Sequence, residues 1–228
     1  MAISQDRLSD PRVAVVTGAS RGIGRETVRR LAQLGYAVVV NYVHDQQTAE
    51  ATVKAILDAH GSAVAVRADV SDEVDVERLF TATIDVFGAV DAVVHAVRGH
   101  LALAPVAEIA LDELDAMLRT TSRAAFIVNR QAARHIRNGG AIVNLTGSLS
   151  AQSSRTYAAY ATAAAAVHTL AAMLALDLGE RHITVNALSL DVDQPCDPDA
   201  VAGVIAYLLS EAGHGITGQV IHIEPPRD

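Results

Sequence analysis

The chain has 228 residues, half of them apolar, with a formal charge of -8 and one cysteine. That length and apolar content suit one domain with a well-buried core, and the acidic balance excludes the clustered Lys and Arg that a nucleic-acid or anionic-membrane surface demands. Cys196 has no second cysteine to pair with and no base beside it, which excludes an internal disulfide and gives no sign of an activated thiol.

The opening residues, MAISQDRLSDPR, are polar and lack the apolar core of a secretion signal, which predicts a cytoplasmic protein. Val-rich runs at 13–17, 37–41, 63–68, 90–95, 141–145, 184–188 and 220–223 read as strands. Between them, helical patterns span 22–34, 48–60, 71–87, 111–137, 157–178 and 199–210. Gly35, Gly61, Gly88 and Gly139 fall just past helix ends, where a left-handed cap favours glycine, and Ser71 and Asp72 suit a helix start.

Strands alternating with helices predict a parallel sheet covered on both faces. With no linker, repeat or break in composition, residues 1–228 read as a single Rossmann-type, doubly wound α/β domain. The stretch Thr156 to Leu176 is free of formal charge and long enough to span a membrane, but alanine dominates it and His168 interrupts it. It reads as a helix buried in a protein or an oligomer.

T-G-A-S-R-G-I-G follows the first strand directly and puts Gly18, Gly22 and Gly24 in a strand-to-helix turn. Glycines there let the backbone approach a pyrophosphate, and the helix N-terminus offers free amides and partial positive charge. The second strand ends at Asn41, without the acidic residue that an NAD site uses to hold the ribose 2′-hydroxyl. Arg21 is placed to meet a 2′-phosphate, so NADP(H) is favoured over NAD(H); Asp45 lies further into the loop and reads as solvated.

With these motifs in view, the chain resembles the short-chain dehydrogenase/reductase family, and within it the 3-oxoacyl-carrier-protein reductases. The likeness also rests on A-D-V-S-D at Ala68 to Asp72, I-V-N at Ile142 to Asn144, I-T-V-N-A at Ile183 to Ala187 and I-T-G-Q-V at Ile216 to Val220. It implies a seven-stranded sheet and a homodimer or homotetramer formed through the two long helices. It implies that Gly18, Ser20, Arg21, Gly22, Ile23 and Gly24 hold the phosphates, with Asn41 at the ribose and Asp69 and Val70 at the adenine.

The resemblance is weaker in the chemical half. Family reductases use a tyrosine proton donor, a lysine four residues on, a serine that polarises the carbonyl, and an asparagine in a proton relay. Tyr160 matches the tyrosine, while Ala164 stands at the lysine, Gly147 at the serine and Thr121 near the asparagine. Lys54, the only lysine, belongs to the helix after the second strand. An unperturbed phenol has a pKa of about 10, so a tyrosine acid working near neutrality wants a cation beside it.

Ser148 would replace the serine if a local bulge turned it inward. His95, at the end of the fourth strand, is either a hydrogen-bonded neutral imidazole or a group at the ligand-binding edge. Arg98 and Arg155 are either solvated or cationic donors at that edge, and Tyr157 packs or caps the cleft.

The family's N-N-A-G is here H-A-V-R at His95 to Arg98, which adds bulk beside the cofactor path. The P-G after V-N-A is Leu190 and Asp191, the terminal G-G region is Pro225 and Pro226, and the substrate lid is shortened. Two functions are therefore expected. One is an NADP(H)-dependent reductase or alcohol dehydrogenase, acting on a carbonyl or acyl-thioester substrate with a degenerate proton relay. The other is a silent relative that senses nucleotide or serves as a structural partner subunit of an active reductase.

Overall fold

The computed structural model describes residues 11–97, 99, 101, 103–148, 155–191 and 196–223, with the side chains of Ser148 and Arg155 outside the description. In chain order the elements are β1 (Val13–Thr17), α1 (Gly22–Gln33), β2 (Ala37–Tyr42), α2 (Gln46–Asp58), β3 (Ser62–Arg67), α3 (Glu73–Phe87) and β4 (Ala92–His95). There follow α4 (Leu111–Leu118), α5 (Ala124–His135), β5 (Ala141–Ser148), α6 (Ala158–Asp177), β6 (Thr184–Asp191), α7 (Pro198–Leu208) and β7 (Val220–Ile223).

The strands form one seven-stranded sheet in the order β3-β2-β1-β4-β5-β6-β7, every neighbouring pair parallel. Such a sheet is buried on both faces, which is why β1 reads V-A-V-V-T without a polar break until its end. Ala14 and Val16 join the layer made with α1, α2 and α7, through residues such as Val28, Ile56 and Ile205. Val15 points the other way, into the layer built with α3, α5 and α6 around Phe80, Val128 and Leu174.

Caps locate several helix starts. Asp72 accepts from the amides of Val74 and Asp75 at 2.9 and 3.0 Å, so α3 begins at Glu73 and not at Ser71. Asp45 accepts from the Thr48 amide at 3.1 Å, which starts α2 at Gln46, earlier than the apolar pattern suggested. The α2 end corrects one expected glycine cap: the left-handed residue is His60, with φ 61°. Gly61 serves close approach instead, since a Cβ there would lie 2.7 Å from Ile56 Cγ2.

The helix expected over 111–137 runs from Leu111 to His135 but changes its winding midway. A π-helical turn, Arg119–Arg123, separates α4 from α5. Its sequence is R-T-T-S-R, and Thr120 Oγ1 donates to the Ala116 carbonyl at 2.9 Å, competing with the backbone ladder.

β5 and β6 both run three residues beyond their expected ends, in unbroken register from Ala141↔Thr184 to Ser148↔Asp191. α6 is long and apolar enough to cross a membrane by length and composition, yet Ala171, Leu174 and Ala175 bury one face of it against the sheet. Only residues 192–197 separate β6 from α7, too short a stretch for a helical lid.

Candidate dinucleotide site and its chemical half

The strand order reverses between β1 and β4, and in open parallel sheets the ligand crevice lies there, outside the carboxyl ends of the strands. The glycine turn leaves β1 at that point, with Gly18 and Gly22 at φ 64° and 55°, values that side-chain-bearing residues rarely adopt.

The three glycines leave room for different neighbours. A Cβ on Gly24 would lie 2.4 Å from the Gly18 carbonyl oxygen, so that space is taken by helix-to-turn packing. A Cβ on Gly18 would meet Val97 Cγ2 at 2.9 Å and the Ala96 carbonyl oxygen at 3.3 Å. A Cβ on Gly22 would meet nothing within 4 Å, so Gly22 faces open space.

Helix α1 begins beside that space with Arg21 as its extended N-cap, without a side-chain cap and without an acid in its first turn. By contrast α2, α3 and α7 are each capped by an aspartate. Free amides and the positive end of the helix dipole suit an anion. Arg21 is exposed and has no hydrogen bond or ion pair among the described residues; it acts on Asp45 only through its charge. Hydrogen bonds from Thr48 are the main cause of Asp45's lowered pKa, with Arg21 a minor one.

Asn41, expected at the ribose, is fully buried. Its Oδ1 accepts from the Gly18 amide at 3.2 Å, and its Nδ2 donates to the carbonyls of Ala68 and Val66 at 3.0 and 3.3 Å. With the Ala19 amide donating to the Asn41 carbonyl at 2.9 Å, this residue braces the turn from behind. Asp69 is tied locally, accepting from the Ser71 amide and hydroxyl at 2.9 and 2.8 Å, and Val70 is buried beside it. Ser20 and Ile23 are half-buried, with Ile23 packed on the α1 side of the sheet.

On the chemical side, Tyr160 is 3% exposed and packs with Met117, Tyr157, Ala159 and Ala163. Ala164 is equally buried, at 3%, one helical turn after Tyr160. Lys54 pairs with Asp58 on the exposed face of α2, at 2.5 Å, and belongs to the other half of the molecule.

Gly147 lies within β5, opposite Leu190 of β6. The bulge that would bring residue 148 onto the heading of residue 147 is absent, because the register runs unbroken through Ser148; the Ser148 side chain itself lies outside the described residues, as do Arg98, the Arg155 side chain, Pro225 and Pro226. Thr146 is committed elsewhere, its Oγ1 standing 2.8 Å from Nε2 of His168.

Thr121 sits in the π turn, 7% exposed, and its Oγ1 is buried without a partner among the described residues. His95 is 1% exposed, with Nδ1 2.9 Å from Thr17 Oγ1. Burial pushes its pKa down to about 4, so near pH 7 it is a neutral imidazole and the acidic imidazolium is not populated. Of the two readings of His95, the structure has the hydrogen-bonded neutral imidazole.

Two features escaped the sequence. Asn129 and Asn144 exchange amide hydrogen bonds at 2.6 and 3.1 Å, tying α5 to β5; the asparagine of I-V-N was visible, its partner on a distant helix was not. The contact of Val97 with Gly18 was foreshadowed only as added bulk after β4.

Comparison with known proteins agrees with this geometry. A family profile described as short chain dehydrogenase matches residues 12–192. Versicolorin reductase of Emericella nidulans is 31% identical over 98% of each chain. That alignment is 261 positions long, more than this chain contains, so the relative carries segments that are missing here. Trihydroxynaphthalene reductase of Colletotrichum orbiculare is 33% identical, covering 93% of this chain and 88% of the relative. Among solved structures, a short chain dehydrogenase from Burkholderia cenocepacia in complex with NADP superposes with a TM-score of 0.87 at 30% identity, covering 96% of this chain and 98% of that one.

Proposed function

Because the chain belongs to the short-chain dehydrogenase/reductase family, we propose that it is an NADP(H)-binding oxidoreductase acting on a small-molecule carbonyl or secondary alcohol, with a slow proton-transfer step. The observation that carries this is the pairing of an open, uncapped α1 terminus beside Arg21 with a buried alanine at position 164. One half of the site suits a phosphorylated dinucleotide; the other has alanine at 164, where the family places its lysine.

The residues fit the cofactor at its phosphate end. Amides at the start of α1 and the space beside Gly22 would take the pyrophosphate, and Arg21 a 2′-phosphate, while Asn41 keeps the turn rigid. The bound cofactor supplies the hydride. Tyr160 would supply the proton to the carbonyl oxygen, without a lysine at 164 or a serine at 147 to assist. A missing oxyanion-type donor costs on the order of 10²- to 10³-fold and untuned acid catalysis on the order of 10²- to 10⁴-fold, and such effects do not simply add.

The test is NADPH oxidation at high protein concentration against ketones, 3-oxoacyl thioesters and the substrates named for the two fungal relatives. Slow but measurable turnover, abolished in Tyr160→Phe, is expected. Fast turnover that survives Tyr160→Phe overturns the assignment of the proton donor.

A second reading is a silent partner subunit in the cytoplasm, joined to an active reductase. It is supported by Phe126 on α5 and Met173 and Leu176 on α6, which are large apolar side chains left exposed on two neighbouring helices. Native purification that yields only the free chain, with no second reductase, counts against it.

A further inference from the structure

Resting on the NADP(H) reading above, we propose that Val97 bridges the ligand crevice, so that the protein holds the 2′-phosphoadenosine half of the dinucleotide and gains little from the nicotinamide half. The crevice is bounded by the residues that follow β1 and those that follow β4, since the strand order reverses between these two. Gly18 is the first residue beyond β1, and Ala96 and Val97 are the first two beyond β4. The space that glycine leaves at position 18 is filled by the Val97 γ-methyl and the Ala96 carbonyl, not left open as it is at Gly22.

Neither wall can easily retreat. On the β1 side, Asn41 holds the Gly18 amide at 3.2 Å and its own carbonyl takes the Ala19 amide at 2.9 Å. On the β4 side, the Ala96 amide donates to the Thr17 carbonyl at 3.3 Å, and Val97 packs against the cluster shared with α5. Two residues on, the backbone is pressed against the π turn: a Cβ on Gly99 would lie 2.3 Å from Thr121 Oγ1 and 2.5 Å from Thr120 Oγ1. The backbone on both sides of the contact is thus held, and the half-buried valine side chain stands between them.

The two halves of a dinucleotide meet this wedge unequally. Arg21, the α1 amides and Asp69–Val70 lie on the side of the turn that leads to β2 and β3, so an adenosine with a 2′-phosphate and a 5′-phosphate never crosses Val97. The nicotinamide ribose must pass toward the ends of β4 and β5, over the bridged edge.

Isothermal titration of the full chain with 2′,5′-ADP and with NADPH tests this. The two dissociation constants are expected to agree within about threefold, and Val97→Ala to tighten NADPH by about tenfold while leaving 2′,5′-ADP unchanged. Val97→Thr, which keeps the volume, should match the parent protein. NADPH binding to the parent more than threefold tighter than 2′,5′-ADP overturns the proposal, and this ratio needs no variant. So does a Val97→Ala protein whose affinities both stay or both shift equally. If neither ligand binds, the NADP(H) reading itself falls, and the wedge with it.

Discussion

Thr146 Oγ1 and His168 Nε2 stand 2.8 Å apart, joining the end of β5 to the middle of α6. The hydroxyl that precedes Gly147 is therefore spent on holding a helix, and does not stand in for a missing serine. Burial, with the neighbouring His222 as a second cause, keeps the pKa of His168 below its ordinary value. Thr146→Val would strand a half-buried ring nitrogen, and a stability loss of about 1–2 kcal/mol is expected in urea unfolding, with 2′,5′-ADP affinity unaltered.

His95 gives the fold an acid sensitivity. Its folded pKa of about 4 lies below the unfolded value near 6.5, so between these the unfolded chain binds the extra proton. The stability associated with neutral His95 is complete above pH 6.5 and is lost as the pH falls toward 4, at up to about 1.4 kcal/mol per pH unit. Chemical denaturation at several pH values should show this slope in the parent protein and a shallower one in His95→Asn. Parallel curves for the two proteins would remove His95 as its source.

The glycines of the turn should fail in different ways. In Gly24→Ala the new methyl would meet the Gly18 carbonyl oxygen at 2.4 Å and Ala19 Cα at 3.0 Å, both backbone atoms that cannot rotate away. Gly22→Ala meets no neighbour within 4 Å and suffers only its positive φ, worth about 1–2 kcal/mol. Unfolding experiments should rank Gly24→Ala as the less stable, and calorimetry should find 2′,5′-ADP weakened in both, in Gly22→Ala because the methyl enters the space left for the anion.

Restoring the family residues will not restore fast chemistry. A lysine at 164 must extend from a position where alanine is now 3% exposed, which strains packing that is already close. A serine at 147 enters an unbroken strand, and Val97 still bridges the crevice. The Gly147→Ser/Ala164→Lys protein is expected to remain slow in NADPH oxidation; robust ketone turnover by it would show that those two residues alone were limiting.

Much was legible before any tertiary structure. Continuous apolar runs, helical periodicity and T-G-A-S-R-G-I-G between β1 and α1 are local patterns, and local patterns are enough to specify a doubly wound parallel sheet and its phosphate-binding turn. The absence of lysine at 164 and serine at 147 is likewise a fact of the chain itself.

Other features depended on residues far apart in sequence. That His95 is a dry partner of Thr17, that Asn41 braces Gly18 and that Val97 fills the space beside Gly18 follow from where β1, β2 and β4 meet. The π turn at Arg119–Arg123 was not legible either, because propensity over R-T-T-S-R is compatible with a plain α-helix. Periodicity along the chain tells which residues are buried, whereas only the closure of the sheet decides which of them touch, and the chemistry of this crevice is set by those contacts.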